Sequence, residues 1–312
     1  MKAILRKELA DYFTSIRVLV LFALALLATA AALYADYQGI RGAGAEGFVF
    51  LRLFTTSGEV TPSLADLFAL FFIPLIGIAL GFDAVNSERT GGTLSAILSQ
   101  PLYRDSVING KFLAAVVTLV IMVGTSMLLT AGYGLRMIGV PPNAEEIVRL
   151  SLYLGLSTVY GAFWIGLAIL FSVVFRRIAA SLLFSIAVWL FFSVFILIIA
   201  PAVANAIAPM VEGNQASILR NVEINQMLLR VSPNILFTEA AQALLHPVIL
   251  ETSMGLIGAI SSGQAQYMLA SPLSLGQSLL IIWPHLTGLI SLSVVCFAVS
   301  YILFMRQEIR AT

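Results

Sequence analysis

Six stretches of this chain carry little but apolar side chains, each near or above 20 residues. They fall near 17–36, 64–85, 110–136, 150–175, 178–203 and 279–304. A helix needs roughly 20 apolar residues to cross a hydrocarbon layer of about 30 Å. Only helices satisfy the backbone of such runs in lipid. The in–out alternation of barrel strands is missing. The pattern predicts a single all-α membrane domain over 1–312 with six transmembrane helices.

The segments between the runs add detail. In 1–16, Ile4, Leu5, Leu9, Tyr12, Phe13 and Ile16 recur at helical spacing, with Lys2, Arg6, Lys7, Asp11 and Arg17 mainly elsewhere. This predicts an amphipathic interface helix along the membrane surface with its apolar side in the acyl boundary; a plain extension of span one is the alternative. Ala28-Thr29-Ala30 resembles a cleavage site, but the apolar run continues to Leu33 and Glu8 and Asp11 interrupt the basic region, so the segment is expected to be retained. An outer loop at 37–63 is rich in glycine. The outer segment 204–278, about 75 residues, exceeds what a connection requires. In it Ser232-Pro233-Asn234 opens a short helix, Ile235 to Leu245, and a small cap of helices lying on the outer leaflet is expected.

Composition sharpens this picture. With 60% apolar and 11% charged residues, there is too little charge to cover a water-facing surface. A net charge of +1 gives no pull toward nucleic acid. Cys296 is the only cysteine, and His246 and His285 stand far apart, so neither a disulfide framework nor a metal site is expected. With the N-terminus in the cytoplasm, eleven of the 17 basic residues face inward, including Arg176-Arg177 between spans four and five. Both termini are then expected on the cytoplasmic side of the inner membrane. The middles of the spans lack Asp, Glu, Lys and Arg, which argues against a proton relay or an intramembrane protease. His285, beside Trp283 and Pro284, reads as an interfacial residue. Gly77 and Gly81 permit close helix packing, within one chain or between two.

The turn between spans two and three is the most informative stretch. Gly91-Gly92 breaks the span-two helix. Thr93 is placed to cap a new short helix, on which Leu94, Ile97 and Leu98 form one apolar face, and Pro101 ends it. A two-turn helix with an exposed apolar stripe, held between two spans, suits docking to a partner; spacing alone leaves open a turn that folds back on the membrane.

The series Glu88, Gly91-Gly92-Thr93-Leu94, Leu98-Ser99, Pro101, Arg104 and Gly110-Lys111 resembles the cytoplasmic motif of ABC-2-type ABC transporter permeases. The order of parts agrees: N-terminal helix, six spans, large outer segment between spans five and six. Within that family the chain is most similar to the NosY-like permeases. The resemblance implies a coupling helix near Thr93–Ser99 seated in a groove of an ATPase subunit, flanked by Glu88 and Arg104, with Arg6, Lys7 and Glu8 of the interface helix near that subunit. It further implies two permeases, as homodimer or heterodimer, with two ATPase subunits, and a path lined by spans one, two and five.

No Gly-x-x-x-x-Gly-Lys-Ser/Thr sequence occurs; before Gly110-Lys111 the first glycine position holds Asp105, and Phe112 follows. The chain is therefore expected to be no enzyme and to hold no cofactor, ATP and magnesium being bound by the partner. The expected function is ATP-driven export of a substrate. The alternatives are mechanical action on an extracytoplasmic partner and an ATP-independent secondary transporter.

Overall fold

The computed structural model describes residues 2–35, 48–56, 62–92, 104–139, 141–210, 214–246 and 273–306. Helix α1 (Lys2–Thr14) is followed by α2 (Ile16–Ala35), α3 (Val49–Thr55), α4 (Leu64–Leu67), a π-helical turn (Phe68–Phe72), α5 (Ile73–Gly81) and α6 (Asn86–Thr90). Next come α7 (Arg104–Ile138), α8 (Ala144–Val174), α9 (Ile178–Leu190), a second π turn (Phe191–Phe195), α10 (Ile196–Ile207), α11 (Gln215–Leu229), α12 (Pro233–Leu245) and α13 (Leu275–Arg306). No strand occurs among the described residues. Among the described residues, six helical spans are long and apolar enough to cross a membrane: Ile16–Tyr34, Leu64–Thr90, Arg104–Arg136, Ala144–Val174, Ile178–Ile207 and Leu275–Arg306. The chain is a multi-pass membrane protein. Below, the end of the bundle holding α1 is called proximal and the other distal.

Span four, α8, is the centre of the bundle. It packs against α5, α7, α9, α12 and α13. Its Tyr160 and Trp164 are fully buried. Asn143 begins it with a capping box: its side chain accepts from the Glu146 N–H, and Glu146 accepts from the Asn143 N–H. Gly77 and Gly81 of span two lie directly on α8. A Cβ at Gly81 would come within 2.7 Å of the Ala168 Cβ and 2.9 Å of the Ile165 carbonyl oxygen. The close-packing face thus serves contact within the chain.

Helix α1 packs part of its apolar face on α7: Ile4 and Glu8 are buried and Ile4 sits against Gly110, while Phe13 stays exposed. One expectation is corrected among the described residues: α11 and α12, between spans five and six, do not lie as a cap above the bundle. Helix α11 turns back along α10, held by Asn221, whose amide donates to Asn205 Oδ1 and the Ala208 carbonyl at 2.7 Å each. Ser232, at the start of α12, then donates to the carbonyl of Phe192, near the middle of span five. From there α12 rises among spans two, four and six, with Phe237 stacked 4.5 Å from Tyr160. Fully buried Arg149 closes the distal end: it pairs with Glu145 at 2.8 Å and donates to the carbonyls of Leu244 and Leu273 and to Ser278 Oγ.

Replacing Gly81 with Val should cost about 1–3 kcal/mol, because backbone and Ala168 both block the added atoms. Gly124→Ala, where a Cβ meets nothing within 4 Å, should be neutral or slightly stabilising. Thermal unfolding of the detergent-purified variants checks the contrast.

Candidate functional site

At the proximal end three helices meet around one buried lysine. Lys111, in the second turn of α7, is 4% exposed. Its Nζ lies 2.9 Å from Glu8 Oε1 of α1 and 2.8 Å from Glu88 Oε1 of α6. Both carboxylates are themselves buried. Lys7 Nζ closes the cluster from the solvent side, 3.1 Å from Glu8, 3.3 Å from Asp11 and 3.4 Å from Glu88. Burial lowers the pKa of Lys7, but the charges and hydrogen bonds of Glu8, Glu88 and Asp11 outweigh it, and the net shift is upward.

The local sequence explains the meeting. Glu8 follows Ile4 by four residues, so both project from one face of α1 onto α7. Gly110 leaves room for Ile4 to approach, which brings Glu8 to Lys111. Glu88 reaches the same point because span two is broken: α5 ends at Gly81, residues 82–85 form a turn, and α6 restarts at Asn86. The backbone groups released by the break find side-chain partners. Tyr12 of α1 donates to the Leu80 carbonyl at 2.8 Å. Ser172 Oγ of span four accepts from the N–H groups of Val85 and Asn86, at 3.0 and 3.1 Å. Burial first, and the surrounding carboxylates second, raise the Tyr12 phenol, so it stays a donor. Arg17 pairs with Asp83 of the turn at 2.7 Å and lies over the Phe82 ring. A cavity of about 150 Å³ remains between α1 and span two.

Of the residues singled out from sequence, Glu8, Lys7 and Glu88 are brought together here. Gly91 caps α6 and Gly92 takes φ +68°, a backbone that favours glycine. Arg104 opens α7 and is exposed, and Arg6 is exposed on α1. Thr93, Leu94, Ile97, Leu98 and Pro101 lie outside the described residues. Lys111 was read only as part of a motif and Tyr12 only as part of an apolar face, and neither Asp83 nor Ser172 was given a role from the sequence. The available signal was Glu8 itself, an acid placed at i+4 from Ile4 on the apolar face.

Lys111→Met should destabilise by about 3–5 kcal/mol, since it leaves two buried carboxylates facing each other. The triple variant Lys111→Met, Glu8→Gln, Glu88→Gln should recover a large part of that loss. Arg17→Ala, at a half-exposed pair, should cost no more than about 1 kcal/mol. Thermal unfolding of the four proteins in one detergent decides the ranking.

The sequence profile of the ABC-2 family transporter proteins matches residues 2–309. The chain is 30% identical over 195 residues to a probable ABC transporter permease protein NosY of Pseudomonas aeruginosa, covering 61% of this chain and 65% of that protein. It is 35% identical over 123 residues to a probable ABC transporter permease protein NosY of Stutzerimonas stutzeri, covering 39% of this chain and 41% of that protein. These alignments thus span less than two thirds of either relative. The family match extends from α1 through all six spans to the last described helix, and the chain belongs to the ABC-2 family of transporter membrane proteins.

Proposed function

We propose that this chain is the permease subunit of an ABC exporter, and that it receives force from a separate ATPase subunit at residues 88–104. The observation that carries this reading is the buried Lys111 cluster. It binds α1, α6 and the start of α7 to one another, and residues 93–103 run directly between α6 and α7. A push on that segment is passed to spans two and three together, and to α1 through Glu8. The excess of basic residues at the proximal end supports a cytoplasmic location for it. Two copies of the chain with two ATPase subunits, which bind ATP and magnesium, complete the proposed assembly. The path lies between the two copies, lined by spans one, two and five.

A second reading has its own observation. Every exposed side chain of span five from Ile178 to Val203 is apolar, while Ser181, Ser185 and Ser193 are buried. That surface offers a hydrophilic cargo no hydrogen-bonding groups. It suits a lipid-like cargo, or a machine that moves its distal end against an extracytoplasmic partner.

The test is reconstitution with the candidate ATPase in proteoliposomes. Leu94→Asp and Leu98→Asp should uncouple the pair, lowering permease-stimulated ATP hydrolysis at least about tenfold, the effect of roughly 1.4 kcal/mol lost at a docking surface. Unchanged hydrolysis in both variants would sink the coupling assignment. Loss of hydrolysis stimulation without any measurable movement of cargo in the wild type would favour the mechanical reading.

A further inference from the structure

The two-residue turn between spans four and five carries charge that the proximal cluster leaves uncompensated. Arg176 and Arg177 stand between Phe175, which follows α8, and Ile178, where α9 begins, and both are exposed. Arg89 of α6 brings a third guanidinium close enough to Arg176 for the two charges to repel. The described acids of this end are engaged elsewhere. Glu8 and Glu88 meet Lys111 and Lys7, Asp11 meets Lys7, Asp83 meets Arg17, and Asp105 accepts from the Ser106 N–H. Among the described residues, neither Arg176 nor Arg177 forms an ion pair. Like charges gathered on one surface raise the local potential and favour an anion there.

The surface beside these arginines is apolar. Val174, just before the turn, is 50% exposed, and Leu183 and Phe184, in the second turn of α9, are 66% and 51% exposed. Phe184 is held in place by two rings of the adjoining chain. It stacks on Phe175 at 4.4 Å, and Phe171 of α8 lies 6.2 Å from it. At about 1.5 Å per residue, Phe184 stands ~9 Å along α9 from Ile178. That offset falls within the roughly 5–10 Å over which a membrane passes from headgroups to acyl chains. A cationic edge and an apolar face thus adjoin on the part of the chain that enters lipid.

We propose that Arg176 and Arg177, with Arg89 beside them, bind the phosphate of an anionic phospholipid whose acyl chain lies on Val174, Leu183 and Phe184. Guanidinium groups match phosphate oxygens in planar, two-bond forks. A soluble anion, or a carboxylate on a partner protein, would meet the arginines but leave the apolar face uncovered. A phospholipid carries both halves in one molecule. A zwitterionic lipid brings its own ammonium beside the phosphate and so offsets less of the arginine charge; an anionic lipid has no such competitor. The bound phosphate also offsets the repulsion between Arg176 and Arg89, so it holds α6 beside the span four–five turn. Such a site requires only a membrane-spanning chain, whatever drives that chain.

The experiment uses the full chain purified in a non-ionic detergent. It is titrated with phosphatidylglycerol or with phosphatidylcholine of the same acyl chains, and native mass spectrometry counts the lipid retained per chain. The parent should bind its first phosphatidylglycerol at least about tenfold more tightly than phosphatidylcholine. Arg176→Gln combined with Arg177→Gln should reduce phosphatidylglycerol binding to the phosphatidylcholine level. Arg136→Gln combined with Arg220→Gln removes the same charge from exposed positions away from this turn and should keep the parent's preference. Glycerol phosphate, which has the phosphate without the chains, should not displace the lipid at equal concentration. A parent with no preference between the two lipids overturns the proposal, even if the Arg176, Arg177 variant fails to purify. So does an Arg176, Arg177 variant that keeps the preference, or an Arg136, Arg220 variant that loses it equally. Displacement by equimolar glycerol phosphate also overturns it, because the ligand would then be a soluble anion.

Discussion

An ammonium group removed from water at the junction of three helices constrains the proximal end. Desolvating Lys111 is costly unless partners of opposite charge meet it at hydrogen-bond distance. Glu8 and Glu88 do so, and neither is near Lys111 in sequence. The pairing therefore specifies where α1 lies, and it requires span two to break so that Glu88 can turn inward. The break in turn frees backbone groups, and a buried backbone group needs a partner. Tyr12 and Ser172 supply them from two different helices. One buried cation thus accounts for the seating of α1, the interruption at residues 82–85 and the junction of spans two and three.

Some of this was legible in the sequence and some was not, for physical reasons. The spans follow from length and apolar content, because lipid allows one backbone solution. Gly91-Gly92 ends α6 where the glycines predict it, since Gly92 adopts a left-handed backbone. The break at Phe82–Val85 carries no such mark: no proline lies there, and the partner that stabilises it, Ser172, is 87 residues from Val85. The same holds for α12. Its start at Ser232-Pro233 is local and was read correctly. Its insertion among the spans depends on Phe237 meeting Tyr160 and on Ser232 reaching Phe192, which are tertiary contacts without a local signature. Amphipathicity placed α1 as a helix but did not show which part of it packs inward: Ile4 and Glu8 are buried against α7, while Phe13 stays exposed.

The two ends of the molecule are held to the same helix. Span four receives the proximal turn at Ser172 and, some 23 residues away, organises the distal end through Arg149. At about 1.5 Å per residue these points are ~35 Å apart. Between them the helix is uninterrupted and presents Tyr160, Trp164 and Ala168 to its neighbours.

Spans two and five are built differently. Each contains a π turn, and the carbonyls there are engaged by side chains from other helices. Tyr160 donates to Ala69, Trp189 to Leu70 and Ser232 to Phe192. A π turn places one extra residue in the helical repeat, so a helix can change register there by exchanging hydrogen-bond partners rather than by losing them. Span two is tied to the proximal cluster below its π turn and borders α12 above it. Span five bonds the start of α12 at its own π turn. The uninterrupted element is therefore the central one, and both spans that carry a π turn touch α12, which also packs on spans four and six. Helix α12 thus sits where the two spans with π turns meet span six at the distal end, while α6, at the other end of span two, lies on the far side of that span's π turn.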